Sequence, residues 1–397
     1  MTRKLLVGQA GGATAVINTS LVGVVREAQS CGKYDSIWGI CRGAVGALQR
    51  ELVDLTSLTG ASLQALAMTP GAALGSSRYR LSDEEAERLL DLFQEQEIHT
   101  FIYIGGNDSA DTVHRLAHGA LHRKQDVRAI AVPKTIDNDL PVTDHSPGYG
   151  SIARYVAIAA MDSAKDTESM PDMYPIKFIE VMGRNAGWVA AAASLGRRSE
   201  GDAPHLIYMP EFPLSRARLL EDVERVYRGF GRVVVVVTET VRDEMGRPFA
   251  DASASGEVDA FGHPLLRGTA DTMCRLVQNE LGLRSRFDKP GSLQRMSMLC
   301  VSPVDLSEAE EVGRAAVRLA RQDITGRMVT IVRDIDEPYR SHTASVDLAE
   351  IANRQRLMPE EFVTEDRSSV TEAFRSYALP LLGPNPFPVY TRLGDVL

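Results

Sequence analysis

The sequence predicts an α/β protein whose mainly parallel sheets are covered by helices on both faces. Short apolar runs alternate along the chain with stretches of helical periodicity, which is the order expected of parallel strands joined by helices. Several of the apolar runs end at Gly, Pro or Thr, as strands that lead into loops do. The 397 residues are enough for two or three domains at roughly 150 residues each.

The individual strands and helices are predicted from the same two patterns, the short apolar runs and the helical spacing of apolar residues. Ile17, Leu21 and Val25 recur at helical spacing and predict the first helix. Ser82 and Glu85 have the spacing of a capping box, and apolar residues on one helical face follow them. The predicted strands are Leu5–Val7, Ser36–Trp38, Phe101–Ile104, Arg128–Val132, Lys177–Val181, Leu206–Met209 and Val233–Val237.

Composition and charge narrow the class of protein. Lys and Arg number 44 and Asp and Glu 53, so the net charge is −9, whereas nucleic-acid binders usually carry a basic surplus. Four cysteines without a Cys-x-x-Cys pair predict a reducing compartment, and we expect a cytoplasmic protein. The longest strongly apolar run, Val233–Val237, is far short of the ~20 residues that cross a membrane.

Two strand-end loops combine glycines with polar side chains. In Gly8–Thr14, backbone N–H groups and the start of the helix led by Ile17 would favour an anion, although an ordinary tight turn is the alternative. The loop Gly105–Ser109 presents Asn107 and Asp108 and suits the binding of a metal with phosphate. The alternative is that one of these two side chains simply caps the following helix.

Two further loops carry charged groups. Pro133–Asp139 joins Lys134 to Asp137 and Asp139. In an extended segment the two acids would project to the same side, where one could accept a proton from a hydroxyl; a solvated turn is the alternative. Arg184, in a later strand-end loop, could clamp a phosphate.

These loops resemble motifs of the phosphofructokinase family. The motifs are Gly-Gly-Asn-Asp-Ser from Gly105, Pro-Lys-Thr-Ile-Asp-Asn-Asp from Pro133 and Met-Gly-Arg-Asn-Ala-Gly-Trp from Met182. The resemblance extends in consistent order from Gly8 to about Asp305, roughly three quarters of the chain. It implies two Rossmann-like domains with the active site in the cleft between them. It also implies transfer of a phosphoryl group to the 1-hydroxyl of fructose 6-phosphate.

The resemblance assigns roles to domains and to single residues. It implies a donor domain of 1–140 with about 260–320, a sugar-phosphate domain of about 141–259, and a C-terminal extension of 321–397 that packs on them. Asp137 matches the catalytic base, and Arg78 resembles an arginine that bridges the two substrates. The residues that match or resemble substrate-binding positions are Gly11 and Gly12 for the donor, and Thr135, Ile136, Asp139, Met182, Gly183, Arg184, Glu239, Ser292 and Arg295 for the sugar phosphate.

Asp108 and Lys134 bear on the phosphoryl donor. Members of the family that use ATP typically have glycine at both positions, whereas members that use inorganic pyrophosphate resemble this sequence. A carboxylate about 4 Å from the α-phosphate of ATP would cost about 4 kcal/mol at an effective dielectric constant of 20. Lys134 would add a cation where charge develops on the transferring phosphate. We therefore expect pyrophosphate as donor and a readily reversible reaction.

Asn107 departs from the family pattern, which usually has an aspartate there that is associated with Mg²⁺. An amide oxygen can still bind this ion, which commonly keeps water and substrate phosphate among its ligands, and Asp108 could share the role. We expect Mg²⁺ as the cofactor, with Asn107 at the metal. We further expect a homodimer or homotetramer that acts on fructose 6-phosphate and pyrophosphate, and no nucleic-acid or membrane partner.

Three other functions remain open from the sequence. The chain could be an ATP-dependent enzyme of the same fold, or a non-catalytic regulatory subunit, although the presence of Lys134, Asp137 and Asp139 argues against a subunit without activity. A nicotinamide-dependent dehydrogenase would share the α/β periodicity, but a clean dinucleotide fingerprint is missing from the sequence. Sedoheptulose 7-phosphate is an open alternative as acceptor.

Overall fold

The structure, a computed structural model, describes residues 3–250, 268–352 and 354–393. Their strands are β1 Lys4–Gln9, β2 Ser36–Ile40, β3 Leu52–Asp54, β4 Ile98–Gly105, β5 Arg128–Pro133, β6 Ile176–Val181, β7 Leu206–Tyr208, β8 Val233–Thr238, β9 Ser285–Asp288, β10 Arg327–Asp336 and β11 Tyr339–Asp347. Their α-helices are α1 Ile17–Ser30, α2 Gly43–Leu48, α3 Gly60–Ala67, α4 Asp83–Glu95, α5 Asn107–His122, α6 Tyr149–Ser169, α7 Trp188–Ala192, α8 Arg216–Phe230, α9 Thr269–Leu281, α10 Leu293–Met296, α11 Pro303–Arg321 and α12 Glu372–Ala378. None of these helices has the length and apolar character to cross a membrane.

The described residues form two compact units, each with its own sheet. The first comprises 3–152, 295–352 and 354–357, and the second comprises 153–250, 268–294 and 358–393. The sheet of the first unit has the order β11-β10-β5-β4-β1-β2-β3, in which only β3 and β11 run antiparallel to their neighbours. The sheet of the second has the order β7-β8-β6-β9 and is parallel throughout.

Side chains that alternate along the central strands build a core on each face of the first sheet. Leu5 and Val7 of β1 belong to a cluster with α1, α3 and α11, whereas Leu6 belongs to a cluster on the other side with α4 and α5. In the second unit, Phe178 and Val235 pack with α8 and α9. Both faces of these strands are therefore buried, which explains their continuous apolar runs and confirms the predicted fold class.

All seven predicted strands are present, and four others were not predicted. The capping box before α4 is also confirmed, because the Ser82 hydroxyl accepts from Glu85 N at 3.1 Å and Glu85 Oε2 accepts from Ser82 N at 2.8 Å. The unpredicted strands are β3, β9, β10 and β11. They are short or lie toward the sheet edges, where polar residues interrupt the apolar pattern.

The units divide the chain differently from the predicted domains. The strand β9 pairs with β6, so residues 268–294 belong to the second unit rather than with the predicted donor domain. The strand β10 pairs with β5, so the predicted extension 321–397 is shared between the two units. The unit to which each of these segments belongs is therefore decided by strand pairing and not by its position along the chain. The predicted boundary near 260 lies outside the described residues.

Candidate active site

The loops that follow β1, β4 and β5 meet at one edge of the first sheet. The parallel register pairs Gln9 with Ile104 and Gly105 with Pro133, so the three strands end side by side. Lys134 then joins the loops directly: its backbone N donates to Gly105 O at 3.0 Å, and its Nζ donates to Gly12 O at 2.8 Å. The predicted donor residues are thus neighbours in space.

Three cations converge on the Gly11–Gly12 turn. A Cβ added to Gly11, whose φ is +74°, would lie 3.2 Å from Lys134 Nζ. A Cβ added to Gly12 would lie 2.8 Å from Arg295 Nη1 and 3.8 Å from Arg78 Nη2. The guanidinium groups of Arg295 and Arg78 thus approach the backbone at Gly12 closely, and the turn carries a concentrated positive charge suited to a polyanion.

This environment changes the protonation of Lys134. Burial lowers the pKa of the ammonium group from its ordinary 10.5 to about 8, and Arg295 and Arg78 act in the same direction, while Asp137 opposes them in part. The side chain is almost fully buried, and the residue is only 3% exposed. An incoming phosphate anion would favour the charged form again, so binding of the anion and protonation of Lys134 support each other.

Asn107 and Asp108 lie in the first turn of α5. The residue that precedes the helix is Gly106, so the alternative that one of the two side chains acts as the N-cap is wrong. Asp108 is exposed, whereas Asn107 Nδ2 donates to Asp139 Oδ2 over 3.3 Å. The other amide atom, Asn107 Oδ1, is buried without a hydrogen-bond partner among the described residues.

The loop that contains Asp137 and Asp139 is not extended, so the condition under which both acids would project to the same side is not met. Asn138 adopts a left-handed conformation with φ +53° between them, and its buried side chain accepts a hydrogen bond from Ser146 N at 3.1 Å. Asparagine tolerates this conformation better than most residues. Thr135 Oγ1 accepts from Asp137 N at 3.1 Å and donates to Asp139 Oδ1 over 3.3 Å. Asp139 is consequently drawn inward, while Asp137 stays partly exposed.

A buried ionic network follows this loop. His145 is 2% exposed; its Nδ1 lies 2.8 Å from an oxygen of Asp144, and its Nε2 lies 2.6 Å from an oxygen of Glu308. Burial alone would lower the pKa of His145, but the two carboxylates outweigh it and raise the pKa to about 9. The Tyr339 hydroxyl donates to Glu308 at 2.6 Å, so the network connects the loop to α11 and β11.

In the second unit, the predicted sugar-binding residues follow two paired strands. The register of β6 and β8 pairs Val181 with Thr238, and Glu239 N donates to Val181 O at 3.3 Å. Met182 and Glu239 therefore begin neighbouring loops at the same sheet edge, and both are partly buried. Ligands of open α/β sheets bind at this edge, beyond the carboxyl ends of the strands.

Two side chains that the sequence did not single out hold the Met182–Arg184 loop. Thr240 Oγ1 donates to Gly183 O at 3.0 Å and to Arg184 O. Buried Gln294 accepts from Met182 N at 3.1 Å through its Oε1. Each contact joins residues more than fifty positions apart, so it could not be predicted from a local sequence pattern.

The remaining predicted residues are divided between the two units. Ser292 is exposed in the second unit, whereas Arg295 belongs to the first unit and lies at the Gly11–Gly12 turn. Ile136 is buried beside Thr135 in the loop that contains Asp137. The structure thus brings Arg295 together with the predicted donor residues, and its role toward the sugar 6-phosphate stays a prediction.

A Mg²⁺ ion fits this site only as part of a shared coordination shell. In the described part of the chain, no group of three or more His, Cys, Asp or Glu side chains is placed to hold a metal. The buried and unpartnered Asn107 Oδ1 does offer one hard oxygen ligand. Water and the oxygens of a bound phosphate would supply the rest, which is how Mg²⁺ is commonly held.

The two sheets and the cationic turn define an α/β protein with a site for a phosphate-rich ligand. The phosphofructokinase family model matches residues 4–320, and the chain belongs to this family. It is 39% identical to the pyrophosphate--fructose 6-phosphate 1-phosphotransferase of Halomonas elongata, over 96% of this chain and 92% of that protein. It is 38% identical to the protein of the same name from Xanthomonas campestris, over 99% and 96%. The crystal structure of a pyrophosphate-dependent phosphofructokinase from Marinobacter aquaeolei has a TM-score of 0.88 and 36% identity, covering 98% of this chain and 94% of that one.

Proposed function

We propose that this protein transfers a phosphoryl group from inorganic pyrophosphate to the 1-hydroxyl of fructose 6-phosphate, and that the reaction is reversible. The observation that carries the proposal is the convergence of Lys134, Arg295 and Arg78 on the Gly11–Gly12 turn. Asp137 follows Lys134 by three residues in the same loop, so a polyanion site and a proton acceptor are built together. The full-length similarity to proteins named for this reaction supports the same substrates.

In the proposed reaction, the oxygen of the 1-hydroxyl attacks the terminal phosphorus of pyrophosphate. Asp137 accepts the proton of this hydroxyl at the same time. A new ester bond forms, the bond between that phosphorus and the bridging oxygen breaks, and inorganic phosphate leaves. Lys134 and Arg78 neutralise the charge that develops on the transferring and departing groups. Positioning and charge stabilisation are most of what such an enzyme must supply.

The sugar phosphate is proposed to bind the loops of the second unit. The backbone of the Met182–Arg184 loop is held by its hydrogen bonds with Thr240 and Gln294. Glu239 would accept hydrogen bonds from sugar hydroxyls. The other proposed contacts to the sugar phosphate are Thr135, Ile136, Asp139, Ser292 and Arg295.

The donor preference is proposed to rest on two charges. Asp108 is exposed in the first turn of α5, where its carboxylate would repel an additional phosphate of a nucleotide, at a cost of about 4 kcal/mol for a separation of about 4 Å. Lys134 favours a compact, highly charged donor because the negative charge of that donor would offset the burial and the neighbouring arginines that lower the pKa of its ammonium group. An ATP-dependent activity is the alternative that the same fold would permit.

Mg²⁺ is proposed as the cofactor, with Asn107 Oδ1 as its protein ligand. When bound, the ion would neutralise phosphate charge. The protein's own part is to hold this oxygen in place, which the contact of Asn107 Nδ2 with Asp139 supports. We also propose a homodimer or homotetramer in the cytoplasm, with sedoheptulose 7-phosphate as a second acceptor to be tested.

Initial rates of the purified protein with Mg²⁺ and fructose 6-phosphate test the proposal, with pyrophosphate and ATP offered in separate reactions. Turnover with pyrophosphate alone is the expected result. Turnover with ATP alone would overturn the donor assignment and leave the role of Asp137 intact. Absence of turnover with both donors would favour a regulatory subunit.

A further inference from the structure

A short segment after β11, Arg354–Leu357, contacts the loop that contains Asp137. It lies beyond residues 4–320, the part of the chain that the family model matches, and in the same unit as that loop. We propose that Gln355 and Arg356 are positioning residues that hold the loop in the shape needed for phosphoryl transfer. This inference rests on the proposed function, because it concerns the geometry of the proposed proton acceptor.

The loop has a conformation that its own backbone disfavours. Asn138 and Val142 have φ values of +53° and +60°, in the left-handed region that side chains rarely occupy. For a β-branched residue such as Val142 this is a marked outlier. Such conformations persist only where surrounding contacts fix them, and they are common where a protein stores strain near a functional group.

Arg356 supplies many of those contacts. Its backbone N donates to Asp139 O at 2.8 Å, and its Nε and Nη2 donate to Asn138 O at 3.2 and 3.0 Å. Its Nη1 donates to Thr143 O at 2.9 Å and to Asp144 O at 2.6 Å. One guanidinium group thus ties together carbonyls on both sides of the left-handed turn, a use for which its planar set of five donors is suited.

Gln355 acts on a carboxylate rather than on the backbone. Its Nε2 donates to Asp139 Oδ2 at 2.9 Å, which is shorter than the 3.3 Å contacts of Asn107 and Thr135 with the same side chain. The carboxylate of Asp139 is therefore held in part by a residue 216 positions away. Asn107 contacts the same Oδ2 through its Nδ2, whereas its Oδ1, the proposed metal ligand, takes no part in these contacts.

These contacts predict a particular kinetic effect. The segment does not approach the Gly11–Gly12 turn through any of these hydrogen bonds, so donor binding should be nearly independent of it. A displacement of Asp137 by a fraction of an ångström would instead slow the chemical step, because a misplacement of about 1 Å can cost about a hundredfold in rate. A purely structural segment would lower thermal stability and leave the turnover of folded molecules unchanged.

The first test is Gln355→Met, which keeps the length of the side chain and removes the donor. We expect kcat to fall about tenfold, with KM for pyrophosphate within about twofold and the melting temperature unchanged. The matched control is Arg354→Met, at an exposed neighbour, which should retain wild-type kcat. An unchanged kcat in Gln355→Met, or the same loss in the control, would overturn the proposal for Gln355.

A double-mutant cycle shows whether Gln355 acts through Asp139. In the Asp139→Ala background, Gln355→Met should change kcat by less than about twofold, because the acceptor that Gln355 orients is gone. Equal losses in the two backgrounds would mean that the residues act independently, which contradicts the proposed coupling.

Hydrogen exchange separates this inference from the proposed function. In the free protein, Arg356→Lys keeps the positive charge but loses the planar guanidinium group and most of its hydrogen bonds to the loop. The backbone amides of residues 137–146 should therefore exchange at least tenfold faster than in the wild type. Unchanged exchange would overturn the anchoring role whatever the substrate is. A wild-type protein without pyrophosphate turnover, but with this change in exchange, would refute the proposed function and leave the anchor standing.

Discussion

Replacement of Lys134 by methionine should make the protein more stable and nearly inactive. The ammonium group is buried, and Arg295 and Arg78 lie close enough to lower its pKa further. Methionine has a similar length and no charge, so it fills the same space without the electrostatic cost. Stability and activity should therefore change in opposite directions, as expected where a site is built for an absent anion.

The magnitude follows from the pKa. A decrease from 10.5 to about 8 means that the folded protein disfavours the charged form of Lys134 by about 3 kcal/mol, at 1.36 kcal/mol for each pKa unit. Loss of the 2.8 Å hydrogen bond to Gly12 O would cost about 1 kcal/mol. We expect a net gain of about 2 kcal/mol in the free energy of unfolding at pH 7.

The gain should depend on pH with a definite sign. Between pH 8 and 10.5 the unfolded chain binds a proton at Lys134 that the folded chain releases, so the wild type gains stability as the pH rises through this window. The advantage of the methionine variant is therefore complete below pH 8 and disappears toward pH 10.5. Above pH 8, kcat/KM of the wild type for pyrophosphate should fall, because the free protein loses this cation.

Thermal unfolding at pH 7 and 10, together with initial rates, would test both parts. The matched control is Lys124→Met, at an exposed lysine, which should leave both quantities near wild type. We expect kcat/KM for pyrophosphate to fall by about 10²- to 10³-fold in Lys134→Met. A less stable variant, or one with near wild-type turnover, would refute the reasoning.

Three further changes test separate parts of the site. Asp137→Asn should lower kcat by about 10²- to 10⁴-fold with KM for fructose 6-phosphate within about threefold in steady-state assays, and unchanged turnover would exclude its role as base. Asp108→Gly combined with Lys134→Gly should raise turnover with ATP at least tenfold and lower it with pyrophosphate; the reverse pattern in parallel rate measurements would contradict the donor argument. His145→Asn should destabilise the protein by up to about 3 kcal/mol in urea unfolding at pH 6, because the raised pKa of His145 favours the folded state fully below pH 6.5 and not above pH 9. A destabilisation that stays equal at pH 6 and 9.5 would show that the protonated histidine contributes nothing.

The central strands could be predicted because their burial on both faces produces a continuous apolar run in the local sequence. The strands β4 and β5 are buried on both faces, so nearly every residue is apolar and the run is visible without any partner. The strand β10 begins in the same way but continues into exposed, charged residues, and β9 is only four residues long. The unit that β9 and β10 join is decided by their pairing with strands distant in the sequence. This pairing cannot be predicted from the local sequence pattern.

The site shows the same division. The family resemblance implied that Gly12 and Lys134 both serve the phosphoryl donor, and the parallel strands that end at one edge bring the two residues together. The inward turn of Asp139 was not predicted, since it depends on the left-handed Asn138 and on Gln355, 216 residues further along. Asparagine at 138 was the one local signal, because this residue tolerates a positive φ.

The most direct test of the central claim follows all phosphorus atoms at once. Phosphorus NMR of the protein with Mg²⁺, pyrophosphate and fructose 6-phosphate, without any nucleotide, reports donor, product and leaving group in one sample. We expect loss of pyrophosphate to be matched, one for one, by inorganic phosphate and by a new phosphate ester at carbon 1, and we expect product plus phosphate to regenerate pyrophosphate. Release of two phosphates for each pyrophosphate without a new ester, or no change until ATP is added, would contradict it.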